Sequence, residues 1–252
     1  MRQRDGLNKR AMRRSLWHVD NGWAVFAGPL NHNAPHAHST AVYLAGLYGT
    51  FRLRVAGGNW VACRSAVIRA GTAYEFDIGG DPLGVLYLEP SFGGADALVP
   101  FASEADEIGG ALFAQADNSP LRSYFERRAV DVDSRPEMEQ VLSHARLRAR
   151  RGLDPRIVRA VSLLQEAGDA SSVAKVAQLA GLSPSRFQHL FTQQVGVPFR
   201  RYRGWQRLRR AIREAATGTS LTDAAHAAGF ADQAHFSRAF RATFGAPPSV
   251  GL

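Results

Sequence analysis

Val176-Ala177-Gln178-Leu179-Ala180-Gly181-Leu182-Ser183-Pro184-Ser185-Arg186-Phe187-Gln188-His189-Leu190-Phe191, with Gly196 after it, decides the reading of this chain, because it is repeated. The second copy is Ala224-Ala225-His226-Ala227-Ala228-Gly229-Phe230-Ala231-Asp232-Gln233-Ala234-His235-Phe236-Ser237-Arg238-Ala239-Phe240, with Gly245 after it, offset by 48 residues at the turn glycines and 49 at the terminal ones. Each copy is a short Ala-rich helix, a Gly turn, and a second helix carrying Phe-x-x-x-Phe. Small Ala side chains let two helices cross closely, and Gly181 and Gly229 supply the tight turn, which is the pattern of a helix-turn-helix unit. One such pattern is a weak signal, whereas two in matching register are a strong one.

Helical phase separates core from surface in the second helices. Phe187, Leu190, Phe191 and Val195 share one face, as do Phe236, Ala239, Phe240 and Phe244, and these are packing positions. The opposite face carries Ser185, Arg186, Gln188 and His189 in the first copy, and Asp232, Gln233, His235, Arg238 and Arg241 in the second. Such donor-rich faces read base edges or hold phosphates; a merely solvated face is the plainer alternative. The spacer from Pro198 to Thr217 has an apolar stripe of Phe199, Tyr202, Trp205, Leu208 and Ile212, with Arg200, Arg201, Arg203, Arg207, Arg209, Arg210 and Arg213 on other faces. A helix of about 20 residues spans roughly 30 Å, close to one turn of B-DNA, so the two recognition helices would enter successive major grooves. Arg207 and Arg210 are candidates for phosphate contacts.

Charge agrees with a polyanionic partner. Residues 151–252 carry 14 Lys+Arg against 6 Asp+Glu, whereas residues 15–150 are mildly acidic at −4. The first fourteen residues, MRQRDGLNKRAMRR, are basic and read as a disordered tail, with Met12 an alternative start. No apolar run approaches the roughly 18 residues of a membrane span, so no membrane partner is expected. A single cysteine, Cys63, excludes an intramolecular disulfide and fits a reducing cytoplasm.

The amino-terminal half follows a different period. Val42-Tyr43-Leu44, Phe51-Arg52-Leu53-Arg54-Val55, Ala66-Val67-Ile68 and Val85-Leu86-Tyr87-Leu88 read as strands. Turn signals lie between them at Gly28-Pro29, Gly57-Gly58-Asn59, Gly79-Gly80-Asp81-Pro82 and Gly93-Gly94. Many short strands of this kind indicate a small barrel or jelly roll. From residue 119 the period becomes helical. Ser134 and Glu137 form a capping box for a helix reaching Arg151 and stopping at Gly152. Asp154-Pro155 opens another, with Ile157, Val158, Val161 and Leu164 as its apolar stripe, ending near Gly168. The predicted architecture is therefore two domains: a jelly-roll barrel over 15–118, and an all-α, seven-helix domain with two helix-turn-helix units over 153–252. Residues 119–152 form a helical linker between them.

The second unit, AAGFADQAHFSRAFRATFGAPPS, resembles the C-terminal signature of the AraC/XylS family of transcription regulators, in which Gly-Phe, Phe-Ser-Arg-x-Phe and Phe-Gly-x-x-Pro recur. The first unit matches the companion segment, and the resemblance covers roughly 154–249. Two departures stand out. Ala231 replaces a frequent Ser cap, which leaves Asp232 to cap the helix, and the chain ends at Gly251-Leu252 without the usual Tyr-Arg pair. The resemblance implies operator DNA and RNA polymerase as partners, and a cupin-like barrel that binds a small effector. In enzymatic cupins a His-x-His pair, a Glu and a later His hold a metal. His36-Ala37-His38 supplies the pair, but Val42 or Tyr43 stands at the Glu position and Tyr74 at the later His position. A catalytic metal site is therefore not expected, and no cofactor is assigned. A pocket lined by His36, His38, Tyr43, Trp60 and Tyr74 is the expected effector site; Arg64 and Arg69 offer an anion site instead. The alternative function is a metal-dependent cupin enzyme fused to a DNA-binding domain. A homodimer is expected through the N-terminal half and the helices between about 119 and 151, where Met138, Val141, Leu142 and Ala145 form one apolar stripe of the helix after Ser134; packing of that stripe on its own barrel is the alternative.

Overall fold

The structure, a computed structural model, describes residues 15–102, 104–115, 120–128, 135–148, 152–167, 172–250 and 252. The tail 1–14 with Met12, Ser134, Arg150, Gly168 and the side chains of Glu137, Ala145, Arg146 and Arg148 lie outside the described residues.

Seven strands form one antiparallel sheet in the order β1 (Leu16–Asp20), β2 (Trp23–Pro29), β9 (Pro82–Leu88), β4 (Ala41–Gly46), β7 (Ser65–Ile68), β11 (Ala111–Ala114) and β10 (Asp106–Ile108). Four more form a second sheet in the order β3 (His32–His36), β8 (Tyr74–Asp77), β5 (Phe51–Val55) and β6 (Val61–Cys63). Among the described residues no ladder joins the two sheets. The β-rich domain expected as a cupin-like barrel or jelly roll is thus two packed sheets, and no closed barrel is seen among the described residues. Side-chain alternation is the same for a barrel and a sandwich; only edge pairing separates them, and edge pairing leaves no mark on single-strand periodicity.

The large sheet is covered on both faces. Phe26, Val42, Leu44, Ile68 and Val85 point inward against Phe51, Leu53 and Phe76 of the small sheet. Their neighbours Val25, Tyr43, Val67 and Leu86 point the other way. That outer face is closed by α1 (Gly94–Leu98), α2 (Pro120–Arg128) and α3 (Arg135–Arg148), through Leu98, Leu121, Phe125, Met138 and Leu142. Met138 and Leu142 are 2% and 4% exposed, so these two residues of the apolar stripe are covered within the chain itself, while Val141 is half-buried. The small sheet has a wet outer face: β5 alternates, with Arg52 and Arg54 turned out and ion-paired to Asp77 and Glu75. Gly28-Pro29, read as a turn, ends β2, where Pro29 faces Pro82 across a strand pair that needs no donor from either.

Six further helices follow: α4 (Pro155–Ala167), α5 (Val173–Leu179), α6 (Pro184–Val195), α7 (Phe199–Ala216), α8 (Leu221–Ala227) and α9 (Gln233–Phe244). The described residues thus hold nine α-helices, six of them after residue 152, where seven were expected; the last turn, Pro248–Val250, is a 3-10 turn. Pro155 takes the first helical position of α4, and Asp154 accepts from the Arg156 amide at 2.9 Å. Ile157, Val161 and Leu164 are buried as their spacing predicted, with Val158 half-buried. Among the described residues no helix is long and apolar enough to cross a membrane.

Candidate nucleic-acid interface and its seam with the sandwich

The sequence repeat is repeated hydrogen bond by hydrogen bond. In the first unit Leu182 N donates to Ala177 O at 2.9 Å, and in the second Phe230 N donates to Ala225 O at 2.9 Å. Ala177 and Ala225 are fully buried where the helices cross. Each recognition helix has twelve residues and a side-chain cap: Ser183 accepts from Arg186 N, and Asp232 from His235 N at 2.6 Å. Each ends on a left-handed glycine, Gly196 and Gly245, whose amide bonds back into the last turn at 2.9 Å. Asp232 is therefore a cap, the role its position next to Ala231 suggested.

Both units rest on α7, which packs against α4, α6, α8 and α9. Phe187, Leu190, Phe191 and Val195, and Phe236, Phe240 and Phe244, are buried; Ala239 is half-buried. On the opposite faces Ser185, Arg186, Gln188 and His189, and Gln233, Arg238 and Arg241, are exposed. His235 is half-buried, edge-on to Phe230 at 5.2 Å. Arg207 and Arg210 are half-buried, and the Arg207 guanidinium lies over the Phe230 ring at 5.4 Å. Arg209 departs from the other spacer arginines: it is 4% exposed and faces the sandwich.

There the structure shows a site that sequence reasoning missed. Glu89, 1% exposed at the end of β9, receives hydrogen bonds from four side chains of α7. Trp205 Nε1 donates at 2.8 Å, Gln206 Nε2 at 3.1 Å to both oxygens, Arg209 Nη1 at 2.9 Å, and the Tyr202 hydroxyl completes the set. Arg209 Nη2 also donates to the Asp20 carbonyl. A buried carboxylate is tolerable only with such compensation. Burial, and then Glu89 itself, pushes the Tyr202 phenol well above its ordinary value, so Tyr202 remains a donor.

A cavity of about 40 Å³ lies beside this cluster, between the two sheets and the end of α9. His36, His38, Tyr74 and Tyr87 line it from the sandwich, and Phe240 and Phe244 from the second recognition helix. The structure thus brings together three of the five expected pocket residues. Tyr43 is instead on the helix-covered face of the large sheet, 5.4 Å from Phe101, because successive strand residues point to opposite faces. Trp60 is on the wet face of the small sheet, stacked by Arg54 at 4.9 Å. Arg69 lines a separate cleft near Gln193 and Asp96. Among the described residues no three His, Cys, Asp or Glu side chains converge as metal ligands. Burial pushes the Cys63 thiol up to about 12, which leaves almost no thiolate for redox or metal chemistry at neutral pH.

The two imidazoles stand 4.9 Å apart. His36 Nδ1 donates to the Ala34 carbonyl at 2.8 Å, which fixes its tautomer, while His38 Nδ1 meets no partner among the described residues. Burial lowers His36 to about 4, against the opposing pull of the Ala34 carbonyl and Glu75. Burial lowers His38 well below its ordinary value, and His36 and Arg201 lower it further. The unfolded chain therefore binds protons that the native seam refuses. Stability is full above about pH 6.5 and falls as pH drops from there toward 4, by up to ~1.4 kcal/mol per unit per histidine. Thermal melts between pH 7.5 and 5 should show the fall, and His36→Phe should reduce its slope; equal slopes in both proteins would exclude His36 as a source of it.

Two capped recognition helices on one strut, with donor-rich faces open to solvent, define a double helix-turn-helix DNA-binding domain. Residues 176–250 match a family profile described as a helix-turn-helix domain. Over 78 residues the chain is 41% identical to the arabinose operon regulatory proteins of Salmonella typhimurium and Escherichia coli. The match spans 31% of this chain and only 28% and 27% of those proteins. In three dimensions the chain resembles the apo form of a ToxT point variant from Vibrio cholerae, with TM-score 0.60, 14% identity, and 92% and 97% of the two chains covered. Wild-type ToxT bound to an unsaturated fatty acid gives TM-score 0.55 at 13% identity, over 92% and 95%. The C-terminal part of the chain is thus a helix-turn-helix domain similar to that of the arabinose operon regulatory proteins.

Proposed function

We propose that this protein is a sequence-specific DNA-binding transcription regulator, controlled by a small molecule taken up where the sandwich meets the second recognition helix. The matched geometry of the two helix-turn-helix units, with Ser185, Arg186, Gln188, His189, Gln233, Arg238 and Arg241 open to solvent, carries the DNA reading. The +8 charge of residues 151–252 supports it by favouring a polyanion. The domain over 153–252 is the DNA-binding part, and RNA polymerase is the expected partner at a promoter. The effector reading is supported by a cavity walled by both domains and by the fatty acid bound to ToxT. Among the described residues no Lys, Arg, Asp or Glu lines the cavity, so an apolar molecule with one polar atom for His38 Nδ1 suits it best. At about 40 Å³ it admits a water or two, so a larger guest requires Phe240 and Phe244 to withdraw. A homodimer held by the N-terminal half and the helices between 119 and 151 would raise operator affinity through effective concentration; Met138 and Leu142, buried within the chain, would not carry its interface.

The test is a gel-shift titration on a duplex that the full chain selects from a random pool. Arg238→Ala should lose about 1–3 kcal/mol of discrimination, and His189→Ala a comparable amount. Arg210→Ala should weaken selected and scrambled duplexes alike and reduce the salt slope by about one. Undiminished affinity of Arg238→Ala for the selected duplex would refute the assignment of that helix face.

A further inference from the structure

Glu89 belongs neither to the DNA-reading faces nor to the cavity lining, yet it is among the most buried charged groups described. All four of its side-chain partners come from one helix, at Tyr202, Trp205, Gln206 and Arg209, the i, i+3, i+4, i+7 face of the strut α7. Two further contacts secure the same helix: Arg201 Nη2 donates to Ala37 O at 2.7 Å, and Ser39 Oγ to Arg201 O at 3.3 Å. The ends of both recognition helices touch the sandwich as well. Gly196 lies against Ala70 and Gly71, and Ala34 N donates to Gly245 O at 3.4 Å. Docking leaves the donor faces of α6 and α9 exposed, so it presents them rather than hiding them. A carboxylate with every partner on one element specifies the seating of that element. An apolar contact of similar area would tolerate sliding, whereas a displaced strut would leave Glu89 and Arg209 buried without partners.

We propose that Glu89 is a positioning residue for DNA recognition: from the sandwich it seats the strut, and through the strut both recognition helices, in one presentation. The inference rests on the DNA-binding reading above. Glu89 also adjoins the cavity, because Tyr87, two residues before it, lines the cavity and packs on the Trp205 ring at 5.4 Å. A guest that displaces Tyr87 or Phe244 therefore acts on the residues that hold the strut.

The experiment compares full-length wild type, Glu89→Gln and Tyr202→Phe on the selected duplex and on a scrambled one of equal length, with hydrogen exchange of α7 measured in parallel. Glu89→Gln keeps size and an acceptor oxygen but leaves Arg209 without its counter-charge. It is expected to weaken the selected duplex about tenfold, within the usual range of coupling between sites. The scrambled duplex should change by less than about twofold, and the α7 amides should exchange faster. Tyr202→Phe deletes one hydroxyl and should give about threefold in the same direction; it decides the matter if Glu89→Gln does not fold. A folded Glu89→Gln that binds the selected duplex as wild type does, or loses both duplexes equally, overturns the proposal. If wild type itself selects no duplex, the DNA reading has failed instead. Exchange then tests the seating alone, and unchanged α7 protection overturns it.

Discussion

Trp205→Ala is expected to lower the stability of the protein by about 3–5 kcal/mol, the range for removing a fully buried Trp from a core that relaxes only in part. Trp205 is 2% exposed, its ring lies 5.4 Å from Tyr87 and 6.2 Å from Phe244, and its Nε1 donates to Glu89. The substitution therefore removes volume, ring contacts and one of the hydrogen bonds that make Glu89 tolerable in the interior. Trp205→Phe separates these effects, because it keeps a ring and loses the donor, and should cost about 1–3 kcal/mol. Trp60→Ala is the control: Trp60 is half-buried on the wet face beside Arg52 and Arg54, and its loss should cost at most about 1 kcal/mol. Urea unfolding of the three variants gives the ordering. A Trp205→Ala protein no less stable than Trp60→Ala would mean that α7 is not seated on the sandwich in solution.

The contrast between Trp205 and Glu89 shows where sequence reasoning works in this chain and where it stops. Trp205 was placed on the apolar stripe of the spacer by its spacing from Tyr202 and Leu208, and it is buried there. Both helix-turn-helix units were legible for the same reason: caps, turn glycines and helical phase are local, and each operates within a few residues. Glu89 has no such cue. It is a single acidic residue after Val85-Leu86-Tyr87-Leu88, and its partners lie 113 to 120 residues further on. Arg209 reads only as one of the spacer arginines off the apolar stripe, because phase alone does not reveal that a second domain covers its face. The pocket residues divided for a related reason. His36, His38 and Tyr74 fall on inward positions, whereas Tyr43 sits one residue out of phase with the inward Val42 and Leu44. Alternation locates a face once the strand is known, but which face meets the other sheet and which meets helices is a tertiary fact. The same limit applies to Met138 and Leu142: spacing gives an apolar stripe but leaves open whether another chain or the protein's own sheet covers it, and the cover is the cluster on the outer face of the large sheet.

Gly245→Ala is expected to cost about 2–5 kcal/mol and to loosen the second recognition helix from the sandwich, whereas Gly181→Ala should cost only about 1–2 kcal/mol. Both glycines have left-handed backbone, with φ of +71° and +66°, so both substitutions carry the steric cost of a side chain there. They differ in surroundings. A Cβ on Gly181 meets nothing within 4 Å, while one on Gly245 would stand 2.5 Å from the Ala34 carbonyl oxygen and 2.9 Å from His36 Nδ1. The carbonyl is backbone of β3 and cannot rotate away, so the strand or the helix end must shift. A shift would strain the contacts that hold the end of α9 on the sandwich, where Asn33 Nδ2 donates to Phe244 O at 2.5 Å and Ala34 N to Gly245 O. Phe244, adjacent in sequence, would be drawn from its place against His38 and Tyr87, and the cavity would open. Two readouts should therefore move together in Gly245→Ala and stay fixed in Gly181→Ala: faster hydrogen exchange at Ala34, and greater access of an apolar dye to the seam. If Gly245→Ala cost no more than Gly181→Ala and left Ala34 protected, the end of α9 would not be docked on β3, and the seam would be no route from an effector to the second recognition helix.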